Sequence, residues 1–135
     1  MWTWTSRVSG VVVDTSVWID FFAGRAVPDL EDALAQGSVV LPPLVVAELV
    51  SGARRPRDRV AIVDLVRELP LHDTPPDHWI RVGDLRRQLR GRGLAVSTPD
   101  AHVAQCALDL DAVLLSRDTV FAHIAAAAKL RLRTS

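Results

Sequence analysis

Residues 10–22 read GVVVDTSVWIDFF, and a strand pattern and a helix pattern meet in this stretch at a single carboxylate, Asp14. The run GVVV (10–13) is short, continuous and β-branched, which is typical of a strand buried on both faces of a sheet. Residues 16–23 then place apolar side chains at helical spacing. A doubly buried strand followed at once by a helix predicts the first βα unit of a parallel sheet.

The same alternation continues to the end of the chain. Further helices are predicted over residues 28–36, 42–53, 58–68, 76–90, 98–109 and 118–128, and further strands over 38–41, 69–72, 112–115 and 130–133. Proline restricts 69–72 to a sheet edge because it cannot donate a ladder hydrogen bond. Strands that alternate with helices predict an α/β fold: a three-layer sandwich with a mostly parallel central sheet flanked by helices.

Length and composition are those of one globular domain. The 135 residues, 49% of them hydrophobic, predict a single domain over 11–133 after a leader, 1–10, that is either flexible or held by a partner. One cysteine excludes an internal disulfide and fits a reducing cytoplasm. The absence of a signal-peptide pattern and of an apolar run of about 20 residues predicts a cytoplasmic protein without a membrane partner. Zero net charge excludes a strongly basic nucleic-acid binder but allows a local basic patch.

Four acidic residues stand where a parallel sheet binds its ligands. Asp14 and Asp118 follow predicted strands, Asp100 begins the helix before the AVLL strand, and Glu48 lies alone inside LVVAELV. Ligands of such sheets sit beyond the carboxyl ends of the strands. The alternative for each aspartate is a structural role at a helix start, as a cap or a dipole partner. Glu48 is either on an exposed stripe or in a costly half-buried site.

Convergence of the four acids would require a cation to offset their repulsion. Mg²⁺ and Mn²⁺ prefer oxygen ligands, and either ion can activate water for attack on a phosphodiester. A zinc site is not expected, because the chain has no cysteine pair and no HExxH motif. Its histidines also lack ligand spacing: His72, His78, His102 and His123.

Four blocks in order resemble PIN domains. They are VVVDTSVWIDFF, PPLVVAELVSGARR, STPDAHVAQCAL and AVLLSRDTVF, which together span about residues 11–133. The resemblance implies a Mg²⁺- or Mn²⁺-dependent endoribonuclease that hydrolyses RNA with metal-activated water. It makes Asp14 and Asp100 the most direct metal ligands, with Asp118 and Glu48 completing the catalytic pocket. Hydroxyls of Ser16, Thr98 and Ser116 would orient these carboxylates.

The short chain is similar to the VapC-type toxins of type II toxin–antitoxin systems. That similarity implies a small cognate antitoxin and assembly as a homodimer or as a hetero-oligomer with it. Two alternatives stay open, an RNA-processing PIN nuclease without an antitoxin and a non-catalytic PIN binding module. A haloacid-dehalogenase-like enzyme is disfavoured, because Ser16 stands where that family needs a second aspartate.

Several basic and aromatic residues are candidates for contacts with RNA or a partner. Arg54, Arg55 and Arg117 are predicted to bind RNA, since each is close in sequence to a pocket acid. A second cluster is interpreted as a solvated helix face: Arg86, Arg87, Arg90 and Arg92. His102 is interpreted as a helix-face residue rather than a catalytic base. Partial exposure of Trp18 or Phe22 would favour an antitoxin groove on the first helix.

Overall fold

The structure, a computed structural model, describes residues 10–134. The prediction for the leader therefore lies, except for Gly10, outside the described residues. Eleven elements follow in chain order: β1 (Val11–Val13), α1 (Thr15–Phe22), α2 (Pro28–Ala35), β2 (Val39–Val40), α3 (Pro43–Gly52), α4 (Pro56–Glu68), α5 (Pro76–Gly91), α6 (Thr98–Leu110), β3 (Val113–Ser116), α7 (Thr119–Ala127) and β4 (Arg131–Thr134).

Proline sets the starts of the middle helices. Pro28, Pro43, Pro56 and Pro76 are the first residues of α2 to α5. At that position the missing N–H costs nothing, because the first amides of a helix have no partner within it, and the ring already holds a helical φ. Sequence and structure therefore agree closely on where these helices begin.

The sheet contains four parallel strands in the order β2-β1-β3-β4. The α/β fold predicted from the sequence is thus confirmed. The predicted strand at 69–72 is reduced to one bridge between Leu41 and Leu71, with His72 N–H donating to the Leu41 carbonyl at 2.8 Å. Pro70 has no N–H to continue that ladder.

The hydrophobic core lies around the two central strands. Val12, Val13, Leu114 and Leu115 are at most 1% exposed, as expected for strands covered on both faces. Helix α6 is buried throughout 101–107, because it packs against α5 as well as against α3, α7 and the central strands. Among the helices of residues 10–134, none is long and apolar enough to cross a bilayer.

The strand order creates a crevice at the carboxyl ends of β1 and β3. The chain leaves β1 towards β2 and leaves β3 towards β4, in opposite directions from two neighbouring strands. Right-handed crossovers then place the two connections on opposite faces of the sheet. The gap between them is the place where open parallel sheets bind ligands, and Asp14 and Asp118 follow these two strands.

Candidate active site

Asp14 is held by hydroxyl groups rather than used as a helix cap. It is 8% exposed, and its Oδ2 accepts hydrogen bonds from Ser16 Oγ and Ser116 Oγ, each at 3.0 Å. Within the described chain, its side chain accepts no capping hydrogen bond from α1, although it occupies the N-cap position. The backbone N–H of Asp14 donates to the Leu115 carbonyl at 3.0 Å, which joins the ends of β1 and β3. The carboxylate is therefore fixed where the two strands end.

Asp100 is also not a cap, because Ser97 has that role. The Ser97 hydroxyl accepts from the Asp100 N–H at 3.2 Å, and Asp100 lies in the first turn of α6. Burial raises the pKa of Asp100, and the charges of Asp14, Asp118 and Glu48 raise it further against an opposing hydrogen bond with Ser97. Asp14, Asp118 and Glu48 are thus each near enough to Asp100 for their negative charges to raise its pKa.

Asp118 does cap a helix. Its carboxylate accepts from the Val120 N–H at 3.1 Å at the start of α7, and its own N–H donates to Ser116 Oγ at 3.0 Å. Because the Ser116 hydroxyl also donates to Asp14, this one buried side chain connects the end of β1 with the start of α7. The capping interpretation is thus confirmed for Asp118, while its charge still acts on Asp100.

Glu48 lies on the exposed face of α3 and is oriented by the first residue of α1. Thr15 Oγ1 donates to Glu48 Oε1 at 2.8 Å. Sequence reasoning missed Thr15, although its position directly after Asp14 is a usable signal. Thr98 is exposed, and the hydroxyl beside Asp100 is that of Ser97.

The donor set fits a hard divalent cation. Carboxylate oxygens are the ligands that Mg²⁺ prefers, and the raised pKa of Asp100 records a repulsion that such an ion would relieve. Across residues 10–134, the only three acidic, histidine or cysteine side chains whose ligand atoms lie within 4.8 Å of one another are elsewhere. Among the described residues, no three of the four acids bring their carboxylate oxygens that close together. Mg²⁺ usually keeps several waters and uses one or two carboxylates, so this spacing suits it.

A mostly apolar groove of about 640 Å³ includes Glu48 in its lining. Phe22 and the exposed Ile19 line it from α1, and Leu49 and Ile62 line it from α3 and α4. Phe22 is half-buried, whereas Trp18 is 1% exposed and belongs to the core. Of the two aromatics predicted as partner contacts, Phe22 is thus the one that reaches the surface.

The predicted RNA-binding arginines differ in their surroundings. Arg54 and Arg55 line the groove, and Arg55 also forms an ion pair with Asp58 at 3.0 Å. Arg117 pairs with Asp20, a buried acid of α1 that sequence reasoning missed and that also binds Arg25. A carboxylate between Trp18 and Phe22 in an otherwise apolar helix was the available signal.

Part of the second arginine cluster does more than face solvent. Arg86 Nε donates to the Val96 carbonyl at 2.9 Å, and Arg86 and Arg90 line a cavity of about 370 Å³ beside Ser97. Since Ser97 caps the helix that carries Asp100, this cavity lies beside the start of that helix, whereas Arg87 and Arg92 are exposed and do not line it.

The expectation that the histidines are scattered was wrong for three of the four. His72, His78 and His102 lie together between α5 and α6, and His123 is exposed on α7. His102 is fully buried on the face of α6 that packs against α5, and Trp79 stacks on its ring with centroids 4.7 Å apart. Burial and the neighbouring His78 and His72 lower the pKa of His102 to about 4. Spacing along the chain could not show this, because His72 and His78 lie outside the helix that carries His102.

Comparison with known proteins defines the class of this chain. A sequence profile of the PIN domain matches residues 11–127, so the chain belongs to the PIN domain family. A comparison with curated protein sequences gives no match.

Solved structures share the fold at low sequence identity. One is VapBC2 from Rickettsia felis bound to a DNA fragment from its promoter (TM-score 0.75, 19% identity, 92% of this chain and 97% of that chain). Another is DNA-bound VapBC from Salmonella typhimurium (0.75, 19%, 93% and 97%). A third is VapBC-5 from Mycobacterium tuberculosis, a member of the VapBC family of toxin–antitoxin systems (0.70, 23%, 94% and 99%).

Proposed function

We propose that this protein is a Mg²⁺- or Mn²⁺-dependent endoribonuclease that acts in the cytoplasm as the toxin of a VapC-type toxin–antitoxin pair. The observation that carries the proposal is the placement of Asp14 and Asp118 on the shared Ser116 hydroxyl, together with the charges of Asp14, Asp118 and Glu48 that act on Asp100. Membership of the PIN domain family supports the nuclease class. The similarity of the fold to VapBC structures supports the proposed role as a toxin.

Each acid has a distinct part in the proposed site. Asp14 and Asp100 are the direct ligands, because neither carboxylate is used by a helix cap and both are at least half-buried. Asp118 and Glu48 complete the pocket, directly or through water. The hydroxyls of Ser16 and Ser116 hold Asp14 in one orientation, and Thr15 does the same for Glu48.

The cation, when bound, would orient and acidify an attacking water and offset charge on the phosphodiester. The chain's own residues supply the placement. The crevice between β1 and β3 receives the scissile phosphate, and Arg54, Arg55, Arg86 and Arg90 are the basic side chains available for the flanking phosphates. Hydrolysis by water leaves a 5′-phosphate and a 3′-hydroxyl.

The test of the nuclease is cleavage of RNA by the purified chain with Mg²⁺ or Mn²⁺, followed by analysis of the new ends. We expect 5′-phosphate and 3′-hydroxyl ends and no cleavage in excess EDTA. Undiminished cleavage in EDTA would contradict the proposal. So would 2′,3′-cyclic phosphate ends, because that reaction uses the 2′-hydroxyl of RNA and needs no such metal.

The apolar groove supports the proposal that an antitoxin binds this chain. Its lining combines apolar side chains of three helices, among them Ile19, which is 55% exposed, with the carboxylate of Glu48. An amphipathic segment could cover the apolar part. An arginine of that segment would then reach the acids, since a guanidinium matches clustered carboxylates.

Co-purification of the chain with the product of an adjacent small reading frame tests the partner. We expect a stable complex, and we expect Ile19→Asp to weaken it by removing apolar contact from the groove. Ile80→Asp is the matched control, because Ile80 is 60% exposed on α5 outside the groove. Recovery of a partner-free monomer that cells tolerate at high expression would leave an RNA-processing nuclease as the better assignment.

A further inference from the structure

A buried cluster of nitrogen and sulfur donors lies between α5 and α6, apart from the four acids. His72 precedes α5, His78 is in its first turn, and Cys106 is on α6. His78 and Cys106 are fully buried, and the side chain of His72 is 12% exposed. Cys106 is six residues from Asp100 along the same helix, about 9 Å along its axis at 1.5 Å per residue.

The spacing of these donors approaches that of a metal site. Each of His72, His78 and Cys106 can present one ligand atom, and the three atoms lie within 4.8 Å of one another. Tetrahedral zinc with imidazole and thiolate ligands separates its donors by about 3.5 Å, given bonds of about 2.0–2.3 Å. Small side-chain rotations would close the difference.

The imidazole of His72 provides a second, independent observation at this cluster. Within the described chain, its Nε2 is buried and has no hydrogen-bond partner. It lies 3.7 Å from Asp109 Oδ2, which is too far for a hydrogen bond. Buried polar atoms are almost always satisfied, so such an atom calls for an ion or a water.

His78 is already oriented in the way that metal-binding histidines are. Its Nδ1 lies 2.7 Å from Asp109 Oδ2, and that carboxylate is itself fixed by Arg81 at 2.8 and 3.0 Å and by Gln105 at 2.8 Å. The carboxylate can only accept, so the His78 proton is on Nδ1 and the lone pair is on Nε2. A carboxylate that holds the far nitrogen of a histidine is the usual support of a histidine–zinc bond.

We propose that His72, His78 and Cys106 form a structural site for a borderline-soft divalent cation of the Zn²⁺ class. Thiolate and imidazole donors favour such an ion over Mg²⁺, which prefers oxygen. Binding replaces the hydrogen bond of 2.8 Å between His78 Nε2 and His102 Nδ1 and releases the thiol proton of Cys106 to solvent. The bound ion ties the segment before α5 to both helices.

Cobalt tests the site directly, because a cobalt–thiolate bond produces a charge-transfer absorption that oxygen ligands do not. The reduced, chelator-treated full chain is titrated with Co²⁺ and then with Zn²⁺. We expect a sulfur-to-cobalt band with the strong visible absorption of tetrahedral Co²⁺, saturating near one ion per chain. Zn²⁺ should abolish the band, and Mg²⁺ should not.

Variants assign the ligands. Cys106→Ser should lose the charge-transfer band, and His72→Ala should lose the tetrahedral visible absorption. His123→Ala is the matched control and should keep both, because His123 is exposed on α7. Asp100→Asn should also keep both, which separates this site from the acidic one.

Two outcomes would overturn the proposal, one with the wild-type chain and one with a variant. A folded wild-type protein with saturating Co²⁺ and no sulfur band would show that the cluster is a metal-free hydrogen-bond network. A band that survives Cys106→Ser would show that the thiolate is not a ligand. Far-UV circular dichroism of each variant shows whether a lost band reflects a lost ligand or a lost fold.

Discussion

At the scale of single residues, three aspartates near helix starts have different roles. Only Asp118 uses its carboxylate as a cap, whereas Ser97 caps the helix of Asp100 and two serine hydroxyls hold Asp14. A carboxylate that caps nothing and remains half-buried among like charges raises the free energy of the metal-free protein. Asp100 is therefore the residue at which a catalytic role and a structural role predict different outcomes.

Replacement of Asp100 by asparagine should abolish function without loss of the fold. Removal of a residue that only supports a metal ligand typically lowers activity about 10–100-fold. We expect Asp100→Asn to lower the activity by a larger factor, because it changes the ligand itself. The melting temperature in EDTA should stay equal to the wild-type value or rise, because one negative charge leaves a repulsive pocket. The stabilisation by Mg²⁺, about 2.7 kcal/mol at 100 times the dissociation constant for an intact site, should shrink.

The measurement is paired melting curves with and without Mg²⁺, together with RNA cleavage. Asp64→Asn, on the exposed face of α4, is the control and should change neither. A fully active Asp100→Asn protein would reject the assignment, and so would an inactive one with an unchanged Mg²⁺ shift.

At the scale of elements, the site depends on how β1, β3 and α7 are joined. Ser116 is the last residue of β3, and its hydroxyl donates to Asp14 after β1 and accepts from the N–H of Asp118 before α7. The Asp14 N–H donates to the Leu115 carbonyl beside it. The position of the Asp14 carboxylate is thus set by hydrogen bonds between elements that are about 100 residues apart.

Loss of the Ser116 hydroxyl should loosen this junction. Ser116→Ala leaves the Asp118 N–H without its partner and removes one donor from Asp14, so we expect a stability cost of about 1–3 kcal/mol. Mg²⁺ affinity or activity should fall about 10–100-fold. Urea unfolding and the Mg²⁺ dependence of cleavage measure the two effects.

Ser38→Ala is the matched serine control, because its hydroxyl donates to the Ala33 carbonyl before β2, away from the carboxyl ends of the strands. It should leave cleavage unchanged. If Ser116→Ala has the Mg²⁺ dependence of wild type, the hydroxyl does not orient the site.

At the scale of the whole molecule, we expect the core to fold without a cation at the acidic pocket. The core of β1, β3 and the helices around them is buried without help from the acids, which lie at its edge. The chain as a whole carries equal numbers of acidic and basic side chains, 16 of each. Proteins that need an ion to fold lack such a core.

Removal of divalent cations should therefore stop cleavage and leave the fold intact. We expect a native far-UV circular dichroism spectrum and one cooperative urea unfolding transition in EDTA. The midpoint of that transition should shift by the lost binding energy, and the dependence of the unfolding free energy on urea concentration should not change. Addition of Mg²⁺ should restore activity at once. A chain that unfolds in EDTA would show that the metal is part of the fold.

The sequence predicted the elements well because local chemistry decides them. Short β-branched runs, helical periodicity and prolines at helix starts are read within a few residues, and the observed bounds differ from the expected ones by one or two positions for most elements. The order of the acids in four blocks also predicted the PIN family, which the profile over 11–127 confirms. The sequence predicted a full strand over 69–72, whereas the structure has a single bridge there. The number of hydrogen bonds that an edge segment forms depends on the neighbouring strand as well as on its own residues.

Only the tertiary structure decided which polar groups meet. By sequence, Asp14, Asp100 and Asp118 are equally good candidates for a structural role at a helix start. They differ in the structure because of Ser97 and Ser116, whose hydroxyls are placed by the packing of separate elements. The cluster of His72, His78 and Cys106 was invisible for the same reason, because its members come from a loop and two helices. Hydrophobic periodicity is a local property of the chain, whereas a pKa shift, an unsatisfied nitrogen or a shared hydroxyl depends on distances that exist only after the helices have packed on the sheet.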